Sequence, residues 1–139
     1  MSQEHVEIVR AAIDALNRED WDALLQAAAP GFELDWSRAM SPLSGVYRLE
    51  QIRRFLEEVT GYWESFRNEP HEFIEAGDLV VVPMTGHARG RDGIEVTASP
   101  TLVWTIGDGA IERASMYQEN EDALEALGLS KQGTPTDPS

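Results

Sequence analysis

The stretch Leu79-Val-Val-Val-Pro-Met-Thr-Gly-His-Ala-Arg-Gly-Arg-Asp-Gly93 decides the fold. A β-branched apolar run passes into alternating residues and breaks at a glycine-flanked turn, the pattern of a strand and its hairpin. Working outward, Glu69–Ala76, Ile94–Ile106 and Ala110–Gln118 have the same character. Gly77-Asp78, Gly90-Arg-Asp-Gly93 and Gly107-Asp-Gly109 separate these runs. Three successive short connections imply antiparallel neighbours, so the spacing predicts a meander. Pro83, Gly86 and Pro100 fall inside long strands. Such residues mark bulges and bends, so the sheet is expected to curve strongly.

Upstream, the period is helical. Val6, Val9, Ala12, Ile13 and Leu16 predict a first helix from about Gln3 to Asn17. Asp20 is a good N-cap for a short second helix carrying Trp21, Leu24 and Leu25, which Pro30-Gly31 is expected to stop. Phe32–Trp36 alternates as a strand, and a loop follows through Ser37, Ser41-Pro42 and Ser44-Gly45. Ile52, Phe55, Leu56 and Val59 form the stripe of a third helix that Gly61 ends. Near the far end, Asn120 caps a last short helix with Ala123, Leu124 and Leu127 inside and Gly128 closing it. Residues 131–139 read as a loose polar tail, leaving a single domain over 1–130.

Helices ahead of an antiparallel sheet give an α+β domain. Laid across the concave side of a strongly curved sheet, three N-terminal helices make a cone with an apolar pocket at its wide end.

Composition narrows the function. The 139 residues suit one globular domain, with 42% apolar and 26% charged side chains. Acidic residues number 25 against 11 basic, a net charge of −14 that disfavours nucleic acid and anionic membranes as partners. The absence of cysteine excludes disulfides, thiolate metal sites and a thiol nucleophile. No apolar run approaches the roughly 20 residues of a membrane span, and Met1-Ser-Gln-Glu-His5 lacks the pattern of a signal peptide, so a cytoplasmic location is expected. His5, His71 and His87 lie on separate elements, so no metal is expected. No phosphate loop or Gly-x-Ser-x-Gly elbow is present, and no cofactor is expected either.

Several motifs carry a resemblance: Asn17-Arg-Glu-Asp-Trp-Asp-Ala-Leu24, Gly45-Val-Tyr-Arg48, Gln51-Ile-Arg-Arg-Phe55, Glu75-Ala-Gly-Asp78, Val103-Trp-Thr-Ile-Gly-Asp-Gly109 and Asp122-Ala-Leu-Glu-Ala-Leu-Gly128. From about Glu4 to Leu129 the chain resembles the SnoaL-like polyketide cyclase family of the nuclear transport factor 2-like superfamily. The resemblance implies a cystatin-like cone. It leaves the activity open, because the superfamily holds ketosteroid isomerases, cyclases, dehydratases, epoxide hydrolases and members without chemistry.

Two residues are candidates for catalysis. Asp35 ends a strand similar to the segment where ketosteroid isomerases place their aspartate, and burial in an apolar cone raises a carboxyl pKa toward neutrality. The competing reading has Asp35 at the rim, capping the turn into Ser37. The isomerase's tyrosine and protonated acid correspond to Ala12 and Leu102, which have no side-chain donor, so steroid isomerisation of that form is not expected. His87 shares a strand face with Val81, Pro83, Thr85 and Arg89, a face that the family's geometry turns into the cone. Its competing reading is a solvated histidine beside the Gly90-Arg91 turn. Trp36, Phe55, Val59, Tyr62, Trp63, Phe66, Leu102, Trp104, Met116 and Gln118 are candidates to line the pocket, with plain core as the alternative for many of them.

The opposite face, with Val80, Val82, Met84, Thr101, Val103 and Thr105, would be an apolar surface in water. The resemblance implies that a homodimer covers it. Two functions therefore stay open. One is cofactor-independent proton transfer by a lyase, isomerase or cyclase on a small hydrophobic cyclic molecule, with Asp35 as base and His87 as its partner. The other is a non-catalytic ligand-binding or dimeric scaffold protein of the same fold.

Overall fold

The structure, a computed structural model, describes residues 2–39, 43–118 and 123–125. Three helices lead: α1 (Ser2–Asn17), α2 (Trp21–Gln26) and, after two strands, α3 (Leu49–Gly61). The strands are β1 (Ala28–Asp35), β2 (Val46–Arg48), β3 (Trp63–Pro70), β4 (Ile74–Ala76), β5 (Leu79–Gly90), β6 (Glu95–Ala98), β7 (Thr101–Gly107) and β8 (Ala110–Tyr117). Among the described residues no helix is long and apolar enough to cross a membrane.

The helices follow their apolar stripes. Val9, Ala12 and Ile13 of α1 are buried, as are Ile52, Phe55 and Leu56 of α3. Asp20 caps α2 by accepting from the Ala23 amide at 3.2 Å. That helix ends at Gln26, before Pro30-Gly31, because β1 begins at Ala28 and runs through the pair. Pro30 is tolerated there because the register of β1 against β8 shifts between Ala28 and Glu33.

Strand order is β2-β1-β8-β7-β5-β3, with β4 and β6 added along β5. The expected meander holds for β5, β7 and β8, but β1 lies parallel to β8, so the sheet is mixed. Asp108 and Gly109 turn β7 into β8 with positive φ at both, 51° and 77°, the left-handed pair of a two-residue hairpin. Two expected strands are each split. Glu69–Ala76 becomes the end of β3 and then β4; Ile94–Ile106 becomes β6 and β7. The breaks align across β5, where the Met84 amide donates to Pro100 O and the His71 amide to Pro83 O, both at 2.9 Å. One end of β5 pairs with β4 and β7, the other with β3 and β6, and the sheet bends between them.

The inward face of β5 is the reverse of the expected one. Val80, Val82 and Met84 join Leu102, Trp104, Met116 and the helices in the main core. Val81 and Val103, paired in register, face outward and form a second cluster with Ile74, Ala123 and Leu124. Residues 123–125 are helical and cover this outer patch. The apolar surface assigned to a partner is thus buried by the chain itself. Asn120, Leu127, Gly128 and the tail 131–139 lie outside the described residues.

Candidate functional site

A cleft of about 530 Å³ opens at the bent end of the sheet. Its walls come from four places. Val59 and Tyr62 stand at the end of α3, and Trp63, Phe66 and Asn68 lie on β3. Gly86, Ala88, Val96, Ala98 and Pro100 come from β5, β6 and the bend. Trp36, Ala39 and Leu43 belong to the loop after β1, beside Met116 and Gln118 at the end of β8. Registry explains the grouping. Phe66 pairs with Ala88, and Asn68 pairs with Gly86, which in turn pairs with Ala98, so one sheet face presents small residues opposite an aromatic wall. Small residues at those crossings leave the space that the aromatics enclose.

Trp36 is held in the wall by Phe55, its ring edge-on at a centroid distance of 5.6 Å, with Tyr47 on Phe55 at 4.4 Å. Phe55 therefore supports the cleft from behind. Leu102 also belongs to the core. Trp104 lines a separate small void of about 60 Å³ beneath α1, α2 and α3, and its indole Nε1 is buried without a hydrogen-bond partner among the described residues. These three expected lining residues stand away from the cleft, because apolar periodicity does not distinguish a core wall from a pocket wall.

Asp35 and His87 do not line it either. Leu34 points into the core, so alternation turns Asp35 to the outer face, where only 6% of it is exposed. Its carboxylate accepts from the Ser37 amide at 3.1 Å and the Ser37 hydroxyl at 2.5 Å. Arg38 Nη1 donates to it at 3.3 Å and Arg113 Nη2 at 2.9 Å. Arg113 also binds Glu33, and Arg38 stacks over Tyr117 at 4.1 Å. Burial pushes the carboxyl pKa up, but the Ser37 bonds and the Arg38 charge outweigh it and hold the group below its ordinary value. That is the reverse of the elevation expected for a base in an apolar cone. The rim reading of Asp35 matches this geometry: it ties down the loop that carries Trp36 and Ala39.

His87 lies on the outer face of β5, its side chain 42% exposed and 3.2 Å from Glu69 Oε1. That hydrogen bond lowers the Glu69 pKa. Asp35 pairs with Ser115, Ser115 with Val103 and Val103 with Val81, so His87 sits three strands and six residues along from Asp35. At about 4.8 Å per strand and 3.3 Å per residue, one water cannot bridge them. The sequence missed this because Val80, Val81 and Val82 are all fully buried, so alternation alone cannot say which face looks inward.

Asn68, Gly86, Ala88, Val96, Ala98 and Pro100 were not among the sequence candidates. The signal available for them was the run of small residues at Gly86, Ala88 and Ala98, legible only once the pairing is known. Of the two carboxamides in the cleft, Gln118 donates from Nε2 to Arg38 O at 2.6 Å. The Asn68 backbone is gripped by Asn17, whose Nδ2 donates to Asn68 O and whose Oδ1 accepts from the Asn68 amide, both at 2.8 Å. Among the described residues no carboxylate, imidazole or cationic side chain lines the cleft, and no cluster of three or more metal-ligating groups occurs.

Comparison with known proteins bears on the same architecture. TerC, crystallised with polyporic acid, is 26% identical and superposes with a TM-score of 0.76, covering 88% of this chain and 96% of its own. An NTF2-like protein of unknown function from Burkholderia pseudomallei is also 26% identical, with a TM-score of 0.77 over 90% of this chain and 97% of its own. RV0760c from Mycobacterium tuberculosis, in complex with estradiol-17beta-hemisuccinate, shares the fold at 12% identity, with a TM-score of 0.73 over 85% of this chain and 95% of its own. No curated protein matches the chain. The SnoaL-like domain model matches residues 9–114, most of the chain, and the protein belongs to that family.

Proposed function

We propose that the protein binds a small, largely apolar molecule in the cleft, and that it does so without proton transfer by Asp35 or His87. The observation that carries this reading is the lining itself: aromatic and small apolar side chains with two carboxamides and the Tyr62 hydroxyl, and no carboxylate, imidazole or cationic group among the described residues. Such a site suits recognition by shape and burial, with few polar contacts to orient the guest. Relatives crystallised with polyporic acid and with an estradiol derivative support a small hydrophobic ligand for this fold.

A neutral fluorophore, N-phenyl-1-naphthylamine, tests the proposal. Its emission should rise on titration with the protein. Gly86→Leu should abolish the rise while circular dichroism and the melting temperature are kept. A Cβ at Gly86 meets Asn68 Oδ1 at 3.6 Å and Ala98 O at 3.9 Å, ordinary contacts, so the added side chain enters the cleft without backbone strain. No enhancement with the native chain, or undiminished enhancement with the variant, would refute it.

A homodimer belongs to the same proposal, on altered chemistry. The outer face left uncovered carries Arg67, Glu69, Arg89 and Glu95, exposed charges of both signs that a two-fold axis can pair. Light scattering tests this, and a mass of 15.5 kDa at micromolar concentration refutes it.

A further inference from the structure

We propose that Asn68 determines which guests the cleft accepts, by bonding a neutral oxygen, a hydroxyl or a ketone, on an otherwise apolar ring system. The inference deepens the binding reading and rests on it. Asn68 is only 9% exposed and lies on the cleft wall. Its carboxamide has no hydrogen-bond partner among the described residues, although both of its backbone groups are used: the N–H and C=O go to Asn17. Its polar atoms open onto the cleft, where only water or an occupant can pair with them, and a guest oxygen that takes the place of that water keeps the bond.

Three features make it a recognition group rather than an accident of packing. Asn17 fixes the Asn68 backbone through both its N–H and its C=O, so the point from which the side chain enters the cleft is set. Gly86 stands opposite and offers no side chain, and Asn68 Oδ1 lies 3.6 Å from where a Cβ would sit, so no side chain from that position covers the amide. Gln118, the other carboxamide, is exposed and already engaged with Arg38 O, and Tyr62 is an exposed side chain at the end of α3, so Asn68 is the buried polar side chain of the cleft among the described residues. The charge of the guest follows as well. No cation lines the cleft among the described residues and the chain carries a net −14, so a carboxylate would enter without a counter-charge. An amide both donates and accepts, which suits a phenol or a ketone equally.

Naphthalene, 2-naphthol and 2-naphthoate form a matched series of probes, with affinities read by displacement of N-phenyl-1-naphthylamine from the full chain. The quantity to follow is the ratio of the naphthalene to the 2-naphthol dissociation constant. Asn68→Leu should lower that ratio about tenfold while naphthalene binding is kept, and naphthoate should be the weakest of the three in the native protein. A residue with only a structural role would weaken both neutral guests together and leave the ratio unchanged. Should Asn68→Leu fail to fold, Asn68→Ala serves for the same ratio. An unchanged ratio in a folded variant, or naphthoate binding best, overturns the assignment of Asn68 while leaving the cleft as a binding site. Failure of every probe to bind the native chain overturns the binding reading and this inference with it.

Discussion

Replacing Asp35 by Asn separates its charge from its shape. The carboxylate sits under two guanidiniums and accepts two further bonds from Ser37. An Asn can keep one oxygen for Ser37, but it turns an NH2 group toward Arg38 and Arg113, donor against donor. Charge-assisted bonds contribute about 1.5–3 kcal/mol when well buried. Both arginine side chains are 41% exposed, so solvent screening brings the expected loss to the lower part of that range, about 1.5–2 kcal/mol. Urea unfolding at pH 7, read from the midpoint and slope, measures it. The pH dependence is a second check. The folded carboxyl titrates below 3.8, so in the window between its folded value and 3.8 the unfolded chain holds a proton that the folded chain lacks. Stability from this group is therefore complete above 3.8 and is lost as pH falls through the folded value. The gap between native and Asp35→Asn proteins should be full at pH 7 and should close in strong acid. Fluorophore affinity should change less than threefold, because Asp35 faces away from the cleft. A variant as stable as the native protein that binds tenfold more weakly would refute the reasoning, since it would put the carboxylate on the ligand.

Other outcomes follow from the same geometry. Phe55→Ala should cost about 3–5 kcal/mol by thermal unfolding, because it empties a buried site and releases both Trp36 and Tyr47. His87→Ala should leave fluorophore affinity and the melting temperature unchanged, since its bond to Glu69 is exposed on the outer face. Trp104→Phe removes a buried N–H that has no partner among the described residues, which offsets the lost ring volume, and stability should stay within about 1 kcal/mol of native.

How far the sequence reaches depends on how unequal the two sides of each element are. In α3, Ile52, Phe55 and Leu56 face Arg53, Arg54 and Glu57, so the helix and its buried side follow directly from the pattern. In β5 the contrast vanishes, because the main core takes Val80 and Val82 while the helical segment at 123–125 covers Val81. Nothing local reports that second layer, so alternation alone does not fix which face of β5 looks inward, and the placing of His87 depends on that choice. Trp36, Val59, Tyr62, Trp63, Phe66, Met116 and Gln118 were expected near a pocket and do line the cleft. Asn68 is not legible in the sequence because its place depends on Gly86 across the strand pair, a relation that linear spacing does not carry. The early start of β1 was hidden by Pro30-Gly31, which read as a stop for α2 and instead lies within the strand where its register shifts.

The Asn17 side chain also bears on how the molecule avoids sticking to its own kind. β3 is the outermost strand of its side of the sheet, and an outermost strand offers bare amides and carbonyls to any extended chain that drifts past. At Asn68 that offer is withdrawn, since the last residue of α1 plugs both groups in the manner of a missing neighbour. An Asn17→Ala chain would uncover this docking point and loosen α1 from the strand together, making fibrillar or amorphous self-association the failure mode of that substitution.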